Sequence, residues 1–269
     1  MASITSGGWV VPAEVTVSPL GREGYLAFML LAVAAFFLAR RLFPPPRPVR
    51  LFPLERLTLA LAAFVGGTLA AKLPFVWSGD AEFWDWATWT ADGKTITTGL
   101  VGAYLSVELT KWVLGIRAKT GDGIAVPLAV ALTVGRWGCF VNPCCYGAPT
   151  TLQWGVDFGD GVLRHPTQLY ESLFHAAWAG ILVRLSSQDA LPYQRLKLYL
   201  LAYCAFRFAI EFIRVEPKWL GPLTYYQVVV IGFAVFLAVQ WVIDAGRLRR
   251  EAVDAERPRE QTVLATPAS

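Results

Sequence analysis

The sequence predicts an all-α protein that crosses a membrane about seven times and carries a small cap on the external side. Of the 269 residues, 55% are hydrophobic and only 16% are charged, whereas soluble domains carry roughly 25% charged residues. The mean hydropathy is +0.45, and several apolar stretches approach the ~20 residues that a membrane helix needs. These observations exclude an ordinary soluble domain.

The seven predicted spans are separated by short polar segments. They are residues 24–42, 57–76, 95–114, 124–141, 167–185, 197–213 and 225–244. Basic residues concentrate in alternate segments: Arg40, Arg41, Arg47, Arg50 and Arg56, then Arg117 and Lys119, then Arg184, Arg195 and Lys197, then Arg247, Arg249 and Arg250. Because positive residues mark the cytoplasmic side, we predict an external N-terminus and a cytoplasmic C-terminus.

The two longest external segments, 77–94 and 142–166, are expected to form the cap. In the second, Trp154, Val156 and Phe158 alternate between glycines, which predicts a short β-hairpin. We predict one transmembrane domain over residues 1–246, followed by a basic, disordered cytoplasmic tail over 247–269. The net charge of +4 does not indicate nucleic-acid binding, because the basic residues flank apolar runs.

Two arginines are expected at similar depth within the membrane. Arg136 follows an apolar run in VGRWGCFVNPCCYG, residues 134–147. It lies about 12 residues into the fourth span, roughly 18 Å from the inner face and therefore in the outer half. Arg207 lies about 10 residues into the sixth span, which also runs outward. An ionisable residue within a span indicates a functional site by default.

The sixth span places four polar residues on one helical face. Tyr203, Arg207, Glu211 and Arg214 follow each other at spacings of four, four and three. In a purely structural interpretation, Glu211 neutralises Arg207. That interpretation leaves Arg136 and Arg214 without an evident partner, so we expect a surplus of guanidinium groups. Because arginine binds phosphate with paired donors, a phospholipid head group is the expected anion.

A second cluster lies at the external entry of the fifth span. The segment RHPTQLYE, residues 164–171, supplies Arg164, His165, Gln168, Tyr170 and Glu171. The alternative interpretation is interfacial anchoring by Tyr and Arg. His175, two turns deeper, is expected to be a core residue. Glu108 and Lys111 are expected to form a structural pair, and the small residues of 93–102 are expected to pack helices closely.

Three cysteines, Cys139, Cys144 and Cys145, end the fourth span. Two of them can form a disulfide in an oxidising compartment. We predict no metal, because no histidine is near in sequence and adjacent cysteines chelate poorly. A CxxC pair, which would favour thiol–disulfide exchange, is absent. We also predict no cofactor.

Three motifs together resemble the prolipoprotein diacylglyceryl transferases. GRWGCFVNPCCYG is similar to that family's Gly-Arg-x-Gly-Asn-Phe-x-Asn-x-Glu-x-x-Gly signature. RHPTQLYE resembles its Arg-His-Pro-[Ser/Thr]-Gln-Leu-Tyr-Glu, and YCAFRFAIEFIR, residues 203–214, resembles its Tyr-x-x-x-Arg-x-x-x-Glu-Phe-x-Arg helix. The motifs keep the family's order, the seven-span topology agrees, and the resemblance covers about residues 95–244.

The resemblance implies an enzyme of the bacterial plasma (inner) membrane that acts in lipoprotein biosynthesis. Such an enzyme moves a diacylglyceryl group from phosphatidylglycerol to the lipobox cysteine of a preprolipoprotein and releases glycerol phosphate. Membrane lipids and these two substrates are therefore the expected partners, without nucleic acid. The catalytic residues implied are Arg136, Arg207 and His165, and the substrate-binding residues implied are Gly138, Asn142, Gln168, Tyr170, Tyr203, Glu211 and Arg214. Glu211 and Tyr203 are expected to orient Arg207, and Gly138 is expected to let the backbone approach the head group.

The sequence departs from the family pattern where protons are handled. Cys139 and Cys144 replace the signature's Asn and Glu, the family's His-Gly-Gly reads Thr97-Thr98-Gly99, and the first span lacks the Tyr motif. His165 is the expected substitute base. Two alternatives stay open: a non-catalytic relative that binds phospholipid, and a membrane thiol oxidoreductase that uses Cys139 with Cys144 or Cys145.

Overall fold

The computed structural model describes residues 19–78 and 95–256 of the chain. Each predicted span overlaps an α-helix. The helices are α1 Pro19–Leu42, α2 Pro53–Ser78, α3 Ile96–Val113, α4 Asp122–Val141, α5 Thr167–Ser187, α6 Arg195–Ile210 and α7 Tyr225–Glu256. Two short antiparallel ladders pair β1 Val156–Asp157 with β2 Leu163–Arg164, and β3 Lys218–Leu220 with β4 Leu223–Thr224. A 3₁₀ turn, Glu211–Ile213, follows α6.

Within residues 19–78 and 95–256, four helices are long and apolar enough to cross a membrane: Gly21–Leu42, Pro53–Val76, Asp122–Val141 and Tyr225–Arg250. The helices α3, α5 and α6 do not meet that criterion. Helix α6 has only 16 residues and contains Arg195, Lys197 and Arg207, while α5 contains Glu171 and His175. Seven crossings therefore remain a prediction.

The core lies among α4, α5, α6 and α7. Its fully buried members include Ala129 of α4, Leu182 of α5, Tyr199 of α6 and Leu237 of α7. Helix α1 packs on α4, and α2 packs on α3. The outer faces of α1 and α2 expose large apolar side chains such as Phe64, which is 71% exposed, as expected for helices that face lipid.

Small residues bring α2 and α3 into close contact. A Cβ added to Gly102 would lie 2.2 Å from Ala70 Cβ and 2.5 Å from the Gly66 carbonyl oxygen. Only glycine allows this backbone approach. The predicted small-residue packing is confirmed for this part of residues 93–102, and residues 93 and 94 lie outside the described residues.

The two ends of the bundle differ. The hairpin end, residues 139–167 and 211–227, carries both β ladders. It joins the ends of α4 and α6 to the starts of α5 and α7, since the Ala148 N–H donates to the Ile213 carbonyl at 2.7 Å. The β1–β2 ladder confirms the predicted hairpin, whereas β3–β4 was not predicted. The cap segment 79–94 lies outside the described residues.

The basic end, residues 42–52, 111–122 and 184–197, carries the opposite loops. Arg195 Nη1 lies 3.2 Å from Asp122 Oδ2. On α7, Asp244 pairs with Lys197 at 2.6 Å and also with Lys119. These contacts join the start of α4 and the segment before it to the start of α6 and to the last helix.

Other contacts settle two further predictions. Lys111 Nζ lies 2.8 Å from Glu108 Oε1, which confirms the expected structural pair. Helix α7 extends to Glu256, so a disordered tail that starts at residue 247 is wrong at its boundary. Residues 247–256, RLRREAVDAE, are polar but contain neither Gly nor Pro, so the helix continues beyond the apolar span. Residues 257–269 lie outside the described residues.

Candidate active site

Arg136 is buried near the end of α4 and forms an ion pair with Glu171 of α5. The two side chains are 6% and 2% exposed, and the pair joins Nη2 to Oε2. Arg136 Nη1 also lies 3.8 Å from Cys139 Sγ. The expectation that Arg136 has no partner is therefore wrong, because its carboxylate comes from a different helix.

A chain of polar contacts continues from Glu171 to Arg207. Tyr203 Oη donates to Glu171 Oε1 at 2.8 Å and lies 3.5 Å from Thr97 Oγ1. Thr97 Oγ1 in turn accepts from Arg207 Nε at 3.0 Å. Tyr203 thus contacts the partner of Arg136 rather than Arg207, which corrects the expected role of this tyrosine.

Arg207 is held from its other side by Glu211. Arg207 Nη1 lies 2.6 Å from Glu211 Oε2, and its guanidinium lies 5.2 Å from the centre of the Tyr226 ring, a cation–π distance. Glu211 Oε1 accepts from Thr224 Oγ1 at 2.9 Å. Thr224 is placed by a reciprocal capping box with Gln227 at the start of α7. The predicted i,i+4 pair of Arg207 and Glu211 is confirmed.

Arg214 connects this chain to the cysteine loop. Its Nη1 donates to the Cys145 carbonyl at 2.9 Å and its Nη2 to Glu216 Oε1 at 2.8 Å. Its Nε lies 3.8 Å from Glu211 Oε2. Each arginine therefore faces a carboxylate, and the expected surplus of guanidinium groups is wrong, because Glu171 and Glu216 reach the site through the tertiary fold.

Several buried polar atoms of the site have no hydrogen-bond partner among the described residues. They include Arg136 Nε, Arg214 Nε, Gln168 Oε1 and His175 Nε2. Buried polar groups are normally paired, so such atoms require an explanation. The unused guanidinium N–H groups can donate to a bound anion.

His165 lies apart from the arginine chain. Its Nδ1 is 3.3 Å from Tyr170 Oη, and Tyr170 Oη accepts from Trp154 Nε1 at 2.7 Å. No contact within the described part of the chain joins the His165 ring to either arginine. His165 and Tyr170, both predicted site residues, thus form an aromatic group beside the hairpin. In that hairpin the Arg164 hydrogen bond holds the pKa of the Asp160 carboxyl below its usual range.

Three other predicted site residues have mainly structural positions. A Cβ on Gly138 would lie 2.9 Å from the Met29 methyl carbon, so this glycine serves the contact with α1 and not the expected approach of a head group. Gln168 Nε2 donates to the Cys144 carbonyl at 2.6 Å. Asn142 ends α4 through its backbone.

Three residues that take part in these polar contacts were assigned no catalytic or substrate-binding role from the sequence. Glu171 was identified only as part of its motif, although a carboxylate within a predicted span carries the same signal as Arg136. Thr97 was noted only as a replacement, and it holds Arg207. His175 is a core residue as expected, with Nδ1 2.7 Å from Tyr199 Oη, but its Nε2 also lies 3.8 Å from Glu171 Oε1.

The cysteines form a compact group at the end of α4. The sulfur atoms of Cys139, Cys144 and Cys145 all lie within 4.8 Å of one another, and all three are free thiols in this structure. Adjacent cysteines chelate poorly on an extended backbone, but Cys145 has a φ of 63°. The poor chelation expected of adjacent cysteines, on which the prediction of no metal rests, therefore does not apply to this loop.

The model of the prolipoprotein diacylglyceryl transferase family matches residues 19–243. The chain belongs to this family. Together with the four apolar helices, this membership confirms a helical membrane protein and the resemblance drawn from the three motifs.

Curated relatives agree along most of the chain. A protein of Gloeobacter violaceus is 29% identical over 90% of this chain and 96% of its own length. One of Methylococcus capsulatus is 29% identical over 80% and 86%, and one of Clostridioides difficile is 31% identical over 64% and 71%. All three are named phosphatidylglycerol–prolipoprotein diacylglyceryl transferase.

Proposed function

We propose that this protein transfers the diacylglyceryl group of phosphatidylglycerol to the lipobox cysteine thiol of a preprolipoprotein. The observation that carries the proposal is the chain of contacts that joins Arg136 and Arg207 inside a member of this family. In the transfer, the thiolate sulfur attacks the glyceryl carbon. A C–S bond forms, the C–O bond to phosphate breaks, and glycerol phosphate leaves with the electron pair.

The arginines would stabilise the charge that develops on the leaving phosphate. Donors fixed in a water-poor site are effective because they need no reorganisation during the reaction. Glu171 and Glu211 fix the guanidinium planes of Arg136 and Arg207. Arg136 Nε and Arg214 Nε have no hydrogen-bond partner among the described residues and can donate to phosphate oxygens.

The charge balance supports a site that is stable without its substrate. Three arginines face the carboxylates of Glu171, Glu211 and Glu216. Unpaired charges are very costly to bury, so near-neutrality keeps the empty site folded. We therefore propose that phosphate is recognised by oriented donors rather than by an excess of positive charge.

We further propose seven membrane crossings in the bacterial inner membrane, with the hairpin end outside. Each predicted span coincides with a helix, and basic residues concentrate in the segments of the opposite end. The external segments, including 142–166, would form the cap over the site. A reporter fused after Arg250 should then be cytoplasmic, and one inserted near Asp85 external. The reverse result would move the site to the other half of the bilayer.

The test is transfer in vesicles that contain phosphatidylglycerol, with a lipobox peptide as acceptor. The peptide should gain the mass of one diacylglyceryl group, and the gene should complement a strain depleted of its own transferase. Family membership does not favour the non-catalytic relative or the thiol oxidoreductase. Vesicles that bind the protein and peptide yet yield no thioether would overturn the proposal in favour of the non-catalytic binder.

A further inference from the structure

We propose that Cys139, Cys144 and Cys145 bind one thiophilic metal ion, with Zn²⁺ as the reference ion, and leave one coordination position open. The three sulfur atoms already lie within 4.8 Å of one another. A tetrahedral zinc with Zn–S bonds of ~2.3 Å places its sulfurs roughly 3.8 Å apart. Side-chain rotations that shorten the sulfur–sulfur distances by up to about 1 Å would complete this geometry.

The backbone holds the two adjacent cysteines so that both thiols face the same side. Successive side chains of an extended segment point to opposite faces, but Cys145 is in the left-handed region with a φ of 63°. A non-glycine residue in this region costs of order 1–3 kcal/mol, and such strain is often retained at functional sites. The backbone geometry is thus what a chelating pair of neighbours requires.

Neighbouring side chains fix the loop in place. The Cys144 carbonyl accepts from Gln168 Nε2 at 2.6 Å. The Cys145 carbonyl accepts from Thr167 Oγ1 at 2.5 Å and from Arg214 Nη1 at 2.9 Å. Outer contacts of this kind orient ligands before the metal arrives.

The local charge also suits a metal bound by thiolates. Three thiolates and one divalent cation carry a net charge of −1, and Arg136 Nη1 lies 3.8 Å from Cys139 Sγ. Arg214 approaches the loop from the other side. Thiolate ligands select zinc and other soft ions over Mg²⁺ or Ca²⁺. The site should therefore bind Zn²⁺ and exclude Mg²⁺ and Ca²⁺.

The open position gives the ion a role that rests on the proposed function. Coordination of the acceptor thiol releases its proton to water, since a metal-bound thiol is deprotonated. The bound sulfur then attacks the glyceryl carbon as the C–O bond to phosphate breaks, with the electron pair kept by the phosphate oxygen. The thioether formed is neutral and leaves the metal. This role would supply the proton handling that Thr97 cannot perform.

The experiment measures metal content and coordination in the full-length protein purified in detergent. We expect one Zn²⁺ per chain, and with Co²⁺ a sulfur-to-metal charge-transfer band and intense visible bands of tetrahedral cobalt. Cys139→Ser and Cys145→Ser should each lower metal affinity at least tenfold. Cys204→Ser is the matched control, because Cys204 is buried in the α4–α7 core, and it should keep the full stoichiometry.

Other outcomes would overturn the proposal. These are a wild-type protein without bound Zn²⁺ and without the cobalt band, equal metal loss in Cys204→Ser, or a disulfide that leaves only two alkylatable thiols in protein trapped directly from membranes. Metal binding without any transfer would contradict the proposed function but not the site. Transfer that survives complete chelation would contradict only the role of the open position. Where a variant fails to fold, the cobalt spectrum of the wild-type protein still tests whether the cysteines bind a metal.

Discussion

The hairpin end and the basic end of the bundle both bury ion pairs, but they differ in how fully the charged groups are bonded. At the basic end, Asp122 accepts backbone hydrogen bonds from Tyr193 and Arg195 at 2.6 and 3.1 Å, and Asp244 has two lysine partners. At the hairpin end, Arg136 Nε and Arg214 Nε have no hydrogen-bond partner in the described part of the chain.

This difference separates charges that hold the fold from charges that are ready to bind a ligand. A buried ion pair is in itself weak evidence of function, because pairing mainly offsets the cost of desolvation. Charged donors that stay unused after pairing are the more specific signal, whereas the buried group at the basic end without a hydrogen-bond partner among the described residues, the Gln194 amide, carries no charge. The comparison predicts that equivalent substitutions at the two ends have similar effects on stability but different effects on transfer.

Removal of one buried carboxylate at each end should give the largest effects. Glu171→Gln leaves Arg136 without its ion-pair partner, and Asp244→Asn does the same to Lys197, which is 4% exposed. Each should lower the free energy of unfolding by about 3–5 kcal/mol. Transfer per folded molecule should fall only in Glu171→Gln. Thermal unfolding in detergent and transfer normalised to folded protein measure the two effects, and an equal loss of normalised transfer in both variants would remove the distinction.

Lysine substitutions test the arginine donors directly. Arg136→Lys and Arg207→Lys keep the charge but lose the planar fork, so each should lose a charged hydrogen bond worth about 1.5–3 kcal/mol. Transfer from phosphatidylglycerol should fall roughly tenfold to more than a hundredfold, with membrane insertion unchanged.

Arg195→Lys at the basic end is the matched control for the lysine variants. Arg195 contacts Asp122, Asp189 and the Ala190 carbonyl. It lies at the opposite end of α6 from Arg207, so this variant should lose stability and keep its transfer rate per folded molecule. Transfer within about twofold of wild type in both site variants would sink the assignment of these arginines to the phosphate.

Thr97 offers a smaller test of positioning. Thr97→Val removes the acceptor for Arg207 Nε while Glu211 and Tyr226 still contact this arginine. We expect about a tenfold loss of kcat, equivalent to ~1.4 kcal/mol, and recovery of most of it in Thr97→Ser. A merely structural hydroxyl would instead lower stability in Thr97→Val with an unchanged kcat.

The sequence could predict what depends on local spacing and composition. Apolar stretches predicted the positions of the seven α-helices found in residues 19–78 and 95–256, although α3, α5 and α6 are not long and apolar enough to qualify as spans. The spacing of four predicted the contact of Arg207 with Glu211. The contacts Arg136–Glu171, Tyr203–Glu171 and Thr97–Arg207 join different helices, and they depend on rotations and depths that periodicity does not specify. The proximity of the three cysteine sulfurs likewise depends on one backbone angle at Cys145.

The smallest expected effect concerns an exposed pair beside the site. Arg164 Nε and Nη2 contact Asp160 Oδ2 at 2.9 and 2.5 Å, and the Asp160 side chain is 42% exposed. The hydrogen bond from Arg164 lowers the pKa of Asp160. Since the folded-state pKa lies below the unfolded value of about 3.9, the pair stabilises the fold above that pH. This contribution is lost as the pH falls through the folded-state pKa. Solvent screening limits the contribution to about 0–1 kcal/mol.

Asp160→Asn should therefore lower stability by no more than that amount at pH 7, and by less as the pH falls through the folded-state pKa of Asp160. It should leave transfer unchanged, because no hydrogen bond or ion pair among the described residues joins the pair directly to the arginine chain. Thermal unfolding of the wild type and the variant between pH 2 and pH 7 measures the difference. A loss of transfer comparable to that of Arg136→Lys would show that the hairpin takes part in substrate binding. The site would then extend beyond the arginines with unused donors.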